Sequence, residues 1–268
     1  MRKKVVLITG ASSGIGLASA VLLHQSGYTV YGTSRRGAGA GSQHGFHMIA
    51  LEVTSDESVA QAVQQVIARE GRIDVLVNNA GFAIEPAAAE ESSIAQAQAI
   101  FNTNFFGVVR MSNAVLPYMR QQGGGQIINI GSVLGFLPMP FGALYAATKH
   151  AIEGYSESLD HEVRTQGIRV SVVEPAYTNT SLESNLLAAD AKLPQYQHIR
   201  STLLTQMKKT MKNADSPQVV AGTVLAAISG SKPQLRYTAG QVAGRLKLLR
   251  RFAPSAIVDK GIRKDLRI

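Results

Sequence analysis

Short β-branched runs alternate with longer helix-period segments along most of this 268-residue chain, and that rhythm restricts its fold more than any other feature. Val5–Ile8, Thr29–Thr33, His47–Val53, Asp74–Val77, Gln126–Ile130 and Arg169–Val173 read as strands. Gly14–Gln25, Ser55–Glu70, Ile94–Arg120 and Ala143–Arg164 read as helices between them. Val75-Leu76-Val77 and Val170-Ser171-Val172-Val173 are too continuously apolar to leave one face wet, which places them in a parallel sheet covered on both sides. Right-handed crossovers then predict an α/β fold with a doubly wound, Rossmann-like parallel sheet.

After Glu174 the rhythm breaks. A polar helical stretch from about Ser181 to Lys212 reads as a mobile substrate lid, and Asp215-Ser216-Pro217 then restarts a helix running to about Ile228. Gly230–Pro233 makes a turn before a predicted edge strand, Gln234–Thr238. The Gly/Ser-rich run Gly37–Gly45 is too short to separate one domain from another and reads as a mobile loop. With no linker, repeat or second core, residues 1–268 are expected to form one domain with a basic C-terminal segment, 241–268.

Composition removes several chemistries. Without cysteine there are no disulfides, thiolate nucleophiles or cysteine-ligated metals, and the six histidines form no metal-ligand cluster. The apolar run after Met1-Arg2-Lys3-Lys4 stops at Ile8, and no stretch approaches the roughly 18 apolar residues of a membrane span, so a cytoplasmic protein is expected. A net charge of +9 favours anionic partners without choosing among them.

Strand one ends in Thr9-Gly10-Ala11-Ser12-Ser13-Gly14-Ile15-Gly16, where a helix begins. Glycines permit a sharp turn and let a pyrophosphate approach main-chain amides at a helix N-terminus. The spacing is Gly-x3-Gly-x-Gly, and no Lys-Ser/Thr pair follows as a P-loop requires. Strand two leads into Ser34-Arg35-Arg36, where an acid would accept from both ribose hydroxyls. Forked arginine donors suit a 2′-phosphate instead, which points to NADP(H); the plainer alternative is a solvated basic turn.

Tyr145 and Lys149 are four apart on one predicted helix and share a face. A neighbouring ammonium favours the phenolate, so the lysine is expected to draw the tyrosine pKa down and the tyrosine to transfer a proton. Ser132 follows a strand at the carboxyl edge of the sheet, where its hydroxyl can bond a substrate oxygen.

Together these motifs resemble the short-chain dehydrogenase/reductases over roughly Val5–Thr180. Thr9-Gly10-x3-Gly14-Ile15-Gly16 is similar to that family's cofactor turn, and Asn78-Asn79-Ala80-Gly81 to its fourth-strand motif. Ser132, Tyr145 and Lys149 match its catalytic set, with Asn104 as the fourth member. The resemblance implies that Tyr145 donates a proton to a carbonyl oxygen held by Ser132. It implies that Lys149 also bonds the nicotinamide ribose, and that Asn104 anchors a water in a proton relay. Ser12, Ser13 and Ile15 join the cofactor turn, while Asn79, Ala80 and Gly81, and Thr178 and Thr180, are carried over as cofactor contacts. Two positions depart from the pattern: Glu52-Val53 stands for Asp-Val at adenine, and Pro175-Ala176 for Pro-Gly beside nicotinamide.

Phe82, Phe136, Leu137, Met139, Phe141, Tyr177 and Leu182 predict an apolar substrate lining, suited to a steroid, retinoid or lipid-like carbonyl or alcohol. They could instead pack on one another or on a second subunit, and a homo-oligomer is expected. Asp160-His161-Glu162 reads as a solvated face, and His150 as structural. The tail groups Arg245, Lys247, Arg250, Arg251, Lys260, Arg263, Lys264 and Arg267 around Leu246, Leu249 and Phe252. The favoured reading docks its apolar stripe on the body, with a membrane contact as the lesser alternative and nucleic acid least favoured. Two rival functions stand beside the enzyme: a catalytically silent NADP(H)-binding regulator, and a membrane or nucleic-acid scaffold built on the tail.

Overall fold

The structure is a computed structural model and describes residues 2–37, 44–180 and 186–266. Seven parallel strands form its sheet: β1 (Val5–Ile8), β2 (Thr29–Ser34), β3 (His47–Ala50), β4 (Val75–Asn78), β5 (Gly125–Ile130), β6 (Ile168–Pro175) and β7 (Arg236–Ala239). Their order, β3-β2-β1-β4-β5-β6-β7, is that of a Rossmann-like doubly wound sheet. Helices α1 (Gly14–Gln25), α2 (Asp56–Glu70), α3 (Ile94–Phe101), α4 (Gly107–Gln121) and α5 (Ala143–Val163) lie between strands. Helices α6 (Gln197–Lys212), α7 (Pro217–Ser229), α8 (Gln241–Phe252) and α9 (Ser255–Leu266) complete the described fold.

Continuous apolar strands arise because each strand serves two cores. Val5 and Leu7 of β1 pack with Val59 and Val63 of α2 and Met111 and Val115 of α4. Val6 and Ile8, pointing the other way, join Ala20 and Leu23 of α1 and Val220 and Val224 of α7. Local signals set the helix ends: Ser55 Oγ accepts from Ser58 N at 3.2 Å to cap α2, and Gly71 ends that helix at φ 72°.

Three expectations need correction. The segment 94–120 is not one regular helix, because a π-helical turn, Asn102–Phe106, separates α3 from α4. Asp160 is not on a solvated face: it is fully buried, pairs with Arg164 and Arg169, and accepts from Val170 N at 2.9 Å. The tail is two helices separated at Pro254, and of the apolar residues expected to dock, Leu249 and Phe252 are exposed while Leu246 is half-buried. Residues 38–43, inside the predicted mobile loop, and Leu182 and Arg267 lie outside the described residues.

Candidate active site

The chain runs outward from β1 to β3 and returns to β4, so β1 and β4 are neighbours whose connections leave in opposite directions. Beyond their carboxyl ends lies the switch point where ligands bind in such sheets. The glycine turn lies there. Gly10 has φ 67°, and a Cβ on Gly16 would lie 2.2 Å from Gly10 O and 2.5 Å from Asn79 Nδ2. Only a residue without a side chain lets α1 enter so close to the strand. Ser12 and Ser13 are exposed; Ser13 is the N-cap of α1 but makes no side-chain capping bond, and the first turn holds no acid. That leaves the positive end of the helix dipole uncompensated by a side chain, as an anion site requires. Ile15 packs into the core beneath, and a Cβ on Gly14 would lie 3.2 Å from Thr180 Cβ, which places Thr180 over the turn.

The turn is fastened to the end of β4. Thr9 Oγ1 accepts from Asn79 N and Ala80 N, both at 2.9 Å, while Asn79 Nδ2 donates to Thr9 O at 2.9 Å and Gly10 O at 3.0 Å. Sequence reasoning named Asn79 and Ala80 as cofactor contacts and Thr9 as part of the turn, but not the bonds by which Thr9 fastens the two together. On the other side, Ser34 Oγ donates to Gly37 O at 3.1 Å, and Arg35 and Arg36 occupy the exposed turn that follows. Glu52 Oε1 is taken up by its own loop, accepting from Thr54 N at 3.0 Å and Thr54 Oγ1 at 2.9 Å, and Val53 is buried against Gly107.

Ser132, Tyr145 and Lys149 are drawn toward the carboxyl end of β5. Lys149 is buried, its Nζ donating to Ile130 O at 2.8 Å and standing 5.6 Å from the Tyr145 ring centroid. Ser132, two residues beyond Ile130, is buried in extended conformation; its Oγ accepts from Leu134 N at 3.2 Å and donates to Pro175 O at 3.4 Å. Pro175 ends β6, and Thr178 beyond it is buried, donating to Ala176 O at 3.1 Å. Asn104 lies in the π-helical turn, accepting from Phe82 N at 3.0 Å and donating to Phe82 O at 2.9 Å; a Cβ on Gly81 would sit 3.0 Å from its Oδ1. Its Nδ2 also reaches Thr148 Oγ1 at 3.4 Å, and Thr148 bonds Tyr145 O at 2.7 Å.

The expected electrostatics are reversed. Dense surroundings push the Tyr145 phenol up to about 12, and burial pushes the Lys149 ammonium down to about 8. Desolvation sets both shifts: the ammonium stands 5.6 Å from the ring centroid and donates to a backbone carbonyl. Glu153, one turn further along α5, opposes that fall in the lysine. It is itself pushed up to about 7, first by burial and then by the Glu174 carboxylate. Arg236 Nε bonds Glu153 Oε2 at 2.9 Å, and Lys247 Nζ bonds Glu174 Oε2 at 3.0 Å. This buried charge cluster was not read from the sequence, since its members are scattered over α5, β6, β7 and α8.

The apolar side is only partly as expected. Met139 and Tyr177 line a cleft with Pro86 and Pro140 and with Leu203, Gln206, Met207 and Thr210, the last four from α6 and unforeseen. Phe141, at φ 60°, stacks edge-on against Tyr196. The described part of the predicted lid is tied to the body by polar contacts: Arg200 pairs with buried Glu91, Ser93 Oγ bonds Asp190 Oδ2 at 2.6 Å, and Tyr196 OH bonds Glu90 Oε1 at 2.6 Å. Residues 181–185 lie outside the described residues.

A doubly wound parallel sheet with a glycine cradle at its switch point defines a dinucleotide-binding class of protein. Residues 4–191 match the short chain dehydrogenase family, and this chain belongs to it. It is 39% identical over 246 residues to a 3-ketodihydrosphingosine reductase of Bacteroides thetaiotaomicron, covering 90% of this chain and 89% of that one. It is 38% identical over 253 residues to human retinol dehydrogenase 8, covering 87% and 80%. A short-chain dehydrogenase from Streptomyces avermitilis superposes with a TM-score of 0.83 at 33% identity, covering 97% and 96%. Among more distant solved structures of this fold, one from Burkholderia cenocepacia holds NADP and one from Brucella melitensis holds NADH, so the fold leaves the choice between them open. The chain is thus an oxidoreductase of a family that uses NAD(P)(H) on small molecules. No helix among the described residues is long and apolar enough to cross a membrane.

Proposed function

We propose that this protein reduces an apolar ketone or aldehyde with NADPH, and in reverse oxidises the matching alcohol. The observation that carries the proposal is the proximity of Lys149, Tyr145 and Ser132 at the end of β5. The turn suits a dinucleotide: Gly10 and Gly14 take positive φ and Gly16 lets the helix start close against Gly10 O, at a helix N-terminus with no acid in its first turn. Bound there, the nicotinamide supplies or takes up the hydride.

Each residue then has a task. Ser132 Oγ, already held between Leu134 N and Pro175 O, turns its hydrogen bond to the carbonyl oxygen. Tyr145 transfers the proton to that oxygen. A pKa near 12 keeps the phenol protonated and ready to donate; the oxidative direction needs the lysine ammonium and a cationic ring to bring it down. Lys149 holds the ribose and the positive charge, and Asn104 keeps the Gly81–Phe82 backbone and the start of α5 in register for a water-borne proton path. Asn79, Ala80, Gly81, Thr178 and Thr180 close around the cofactor.

Arg35 and Arg36, exposed beyond β2 where no acid stands, select the 2′-phosphate of NADPH. Met139, Tyr177, Leu203 and Met207, which share their cleft with Gln206 and Thr210, suit an apolar substrate carrying a polar group, a reading strengthened by relatives named for a sphingoid ketone and for retinol. A panel of long-chain, steroid and retinoid carbonyls followed by NADPH absorbance tests this. Turnover of apolar over sugar-like carbonyls is expected, with Arg35→Ala/Arg36→Ala raising KM for NADPH far more than for NADH. Equal losses for both cofactors, or a preference for polar substrates, would overturn the respective assignment.

A further inference from the structure

Five of the ten large apolar side chains exposed among the described residues, Val242, Leu248, Leu249, Phe252 and Ile257, come from α8 and the start of α9. Phe252 is 73% exposed and Leu248 60%. The cause is the way α8 is seated. It meets the body with Ala243, fully buried, with Lys247, bonded to Glu174, and with Arg250, whose Nε donates to Phe136 O at 3.2 Å. Positions 243, 247 and 250 share one helix face. The large apolar residues a surface helix normally turns inward are therefore left on the opposite side, where Val242, Leu248, Leu249 and Phe252 face water.

The helix is an amphipathic element mounted with its polar contacts inward. Such a patch is costly in water and marks a contact surface. Its border is cationic: Arg245, Arg251, Lys260, Arg263 and Lys264 are exposed, and residues 241–266 hold seven Lys and Arg against two Asp. Val258 is buried, whereas Ile257 adds an exposed apolar side chain beyond Pro254. Apolar side chains ringed by basic ones match a bilayer bearing acidic headgroups, where the former enter the acyl boundary and the latter meet the anionic surface.

We infer that α8 and the start of α9 form a peripheral docking surface for an anionic lipid bilayer. The charge complementarity selects this occupant over an uncharged apolar partner, and a second copy of the chain would bring like charges together. The inference does not depend on the proposed reaction, and its readout is binding, not turnover.

The chain has no tryptophan, so Phe252→Trp installs a single reporter at the centre of the patch. With vesicles of phosphatidylcholine containing phosphatidylserine, its emission should shift to the blue and the protein should co-sediment. Pure phosphatidylcholine vesicles should bind much less, and added salt should release the protein. In the otherwise natural chain, Phe252→Glu should lower vesicle partition at least tenfold and Arg245→Gln/Arg251→Gln several-fold, while Val219→Glu, on another exposed surface, should change nothing. Absence of binding to anionic vesicles, equal binding to neutral ones, or indifference to Phe252→Glu would overturn the inference. So would self-association through the same residues, seen as a loss of oligomer mass in Phe252→Glu by light scattering without any vesicle effect.

Discussion

Replacing Lys149 with Met separates what the site costs from what it does. The ammonium is buried and its pKa falls from 10.5 to about 8, so at neutral pH its charge costs the folded state about 3 kcal/mol relative to the unfolded chain. Methionine fills a similar volume without that cost, but leaves Ile130 O without the lysine donor, a loss of about 1–3 kcal/mol. At pH 7 the two terms nearly cancel, giving a variant about as stable as the parent or more so by up to about 2 kcal/mol. The pH dependence isolates the charge. Because the folded pKa is the lower one, the penalty is complete below about 8 and disappears as pH rises through 10.5. Between pH 7 and 9.5 the advantage of Lys149→Met should shrink by about 2 kcal/mol, whatever the lost hydrogen bond costs. Urea unfolding of both proteins at the two pH values measures it, and turnover should be lost. A stability difference that does not change with pH would refute the buried-ammonium reasoning.

Glu153→Gln reports on the second buried charge. With its carboxyl pKa raised to about 7, Glu153 binds a proton more tightly in the folded state, so it lowers stability as pH climbs from 4.5 to 7. The glutamine variant should melt higher than the parent at pH 8 and no higher at pH 4.5; the opposite order would contradict that sign. Asn104→Ala strands the amide and carbonyl of Phe82 and should cost about 2–4 kcal/mol in urea unfolding, together with most turnover. Gly16→Ala drives a methyl into Gly10 O and Asn79 Nδ2 and should abolish NADPH binding in a fluorescence titration; unaltered affinity would show that the cradle is not where the dinucleotide sits.

The sheet was legible because its strands are apolar on both faces, a pattern that Val5 to Ile8 displays by feeding two cores from alternate residues. The glycine turn was legible because three glycines at one helix start mark a tight turn that residues with side chains cannot make. The rest depended on distant partners. Asn102–Phe106 reads as ordinary helix until Asn104 is seen to hold the backbone of Phe82, and Asp160 looks solvated until Arg169 arrives from β6. The phenol–ammonium pair was correctly placed on one helix face, but its pKa values follow from burial, which spacing does not reveal. The outward apolar face of α8 was hidden because its inward contacts, Glu174 and Phe136, lie far away in sequence.

Removing one oxygen atom tests the central claim most directly. Tyr145→Phe keeps the ring over which Lys149 stands and deletes only the hydroxyl that carries the proton. NADPH affinity is expected to stay within a few-fold of the parent by fluorescence titration, with carbonyl reduction slowed by at least about three orders of magnitude in a single-turnover assay. Reduction at near-parent rate with cofactor bound would contradict the role given to Tyr145.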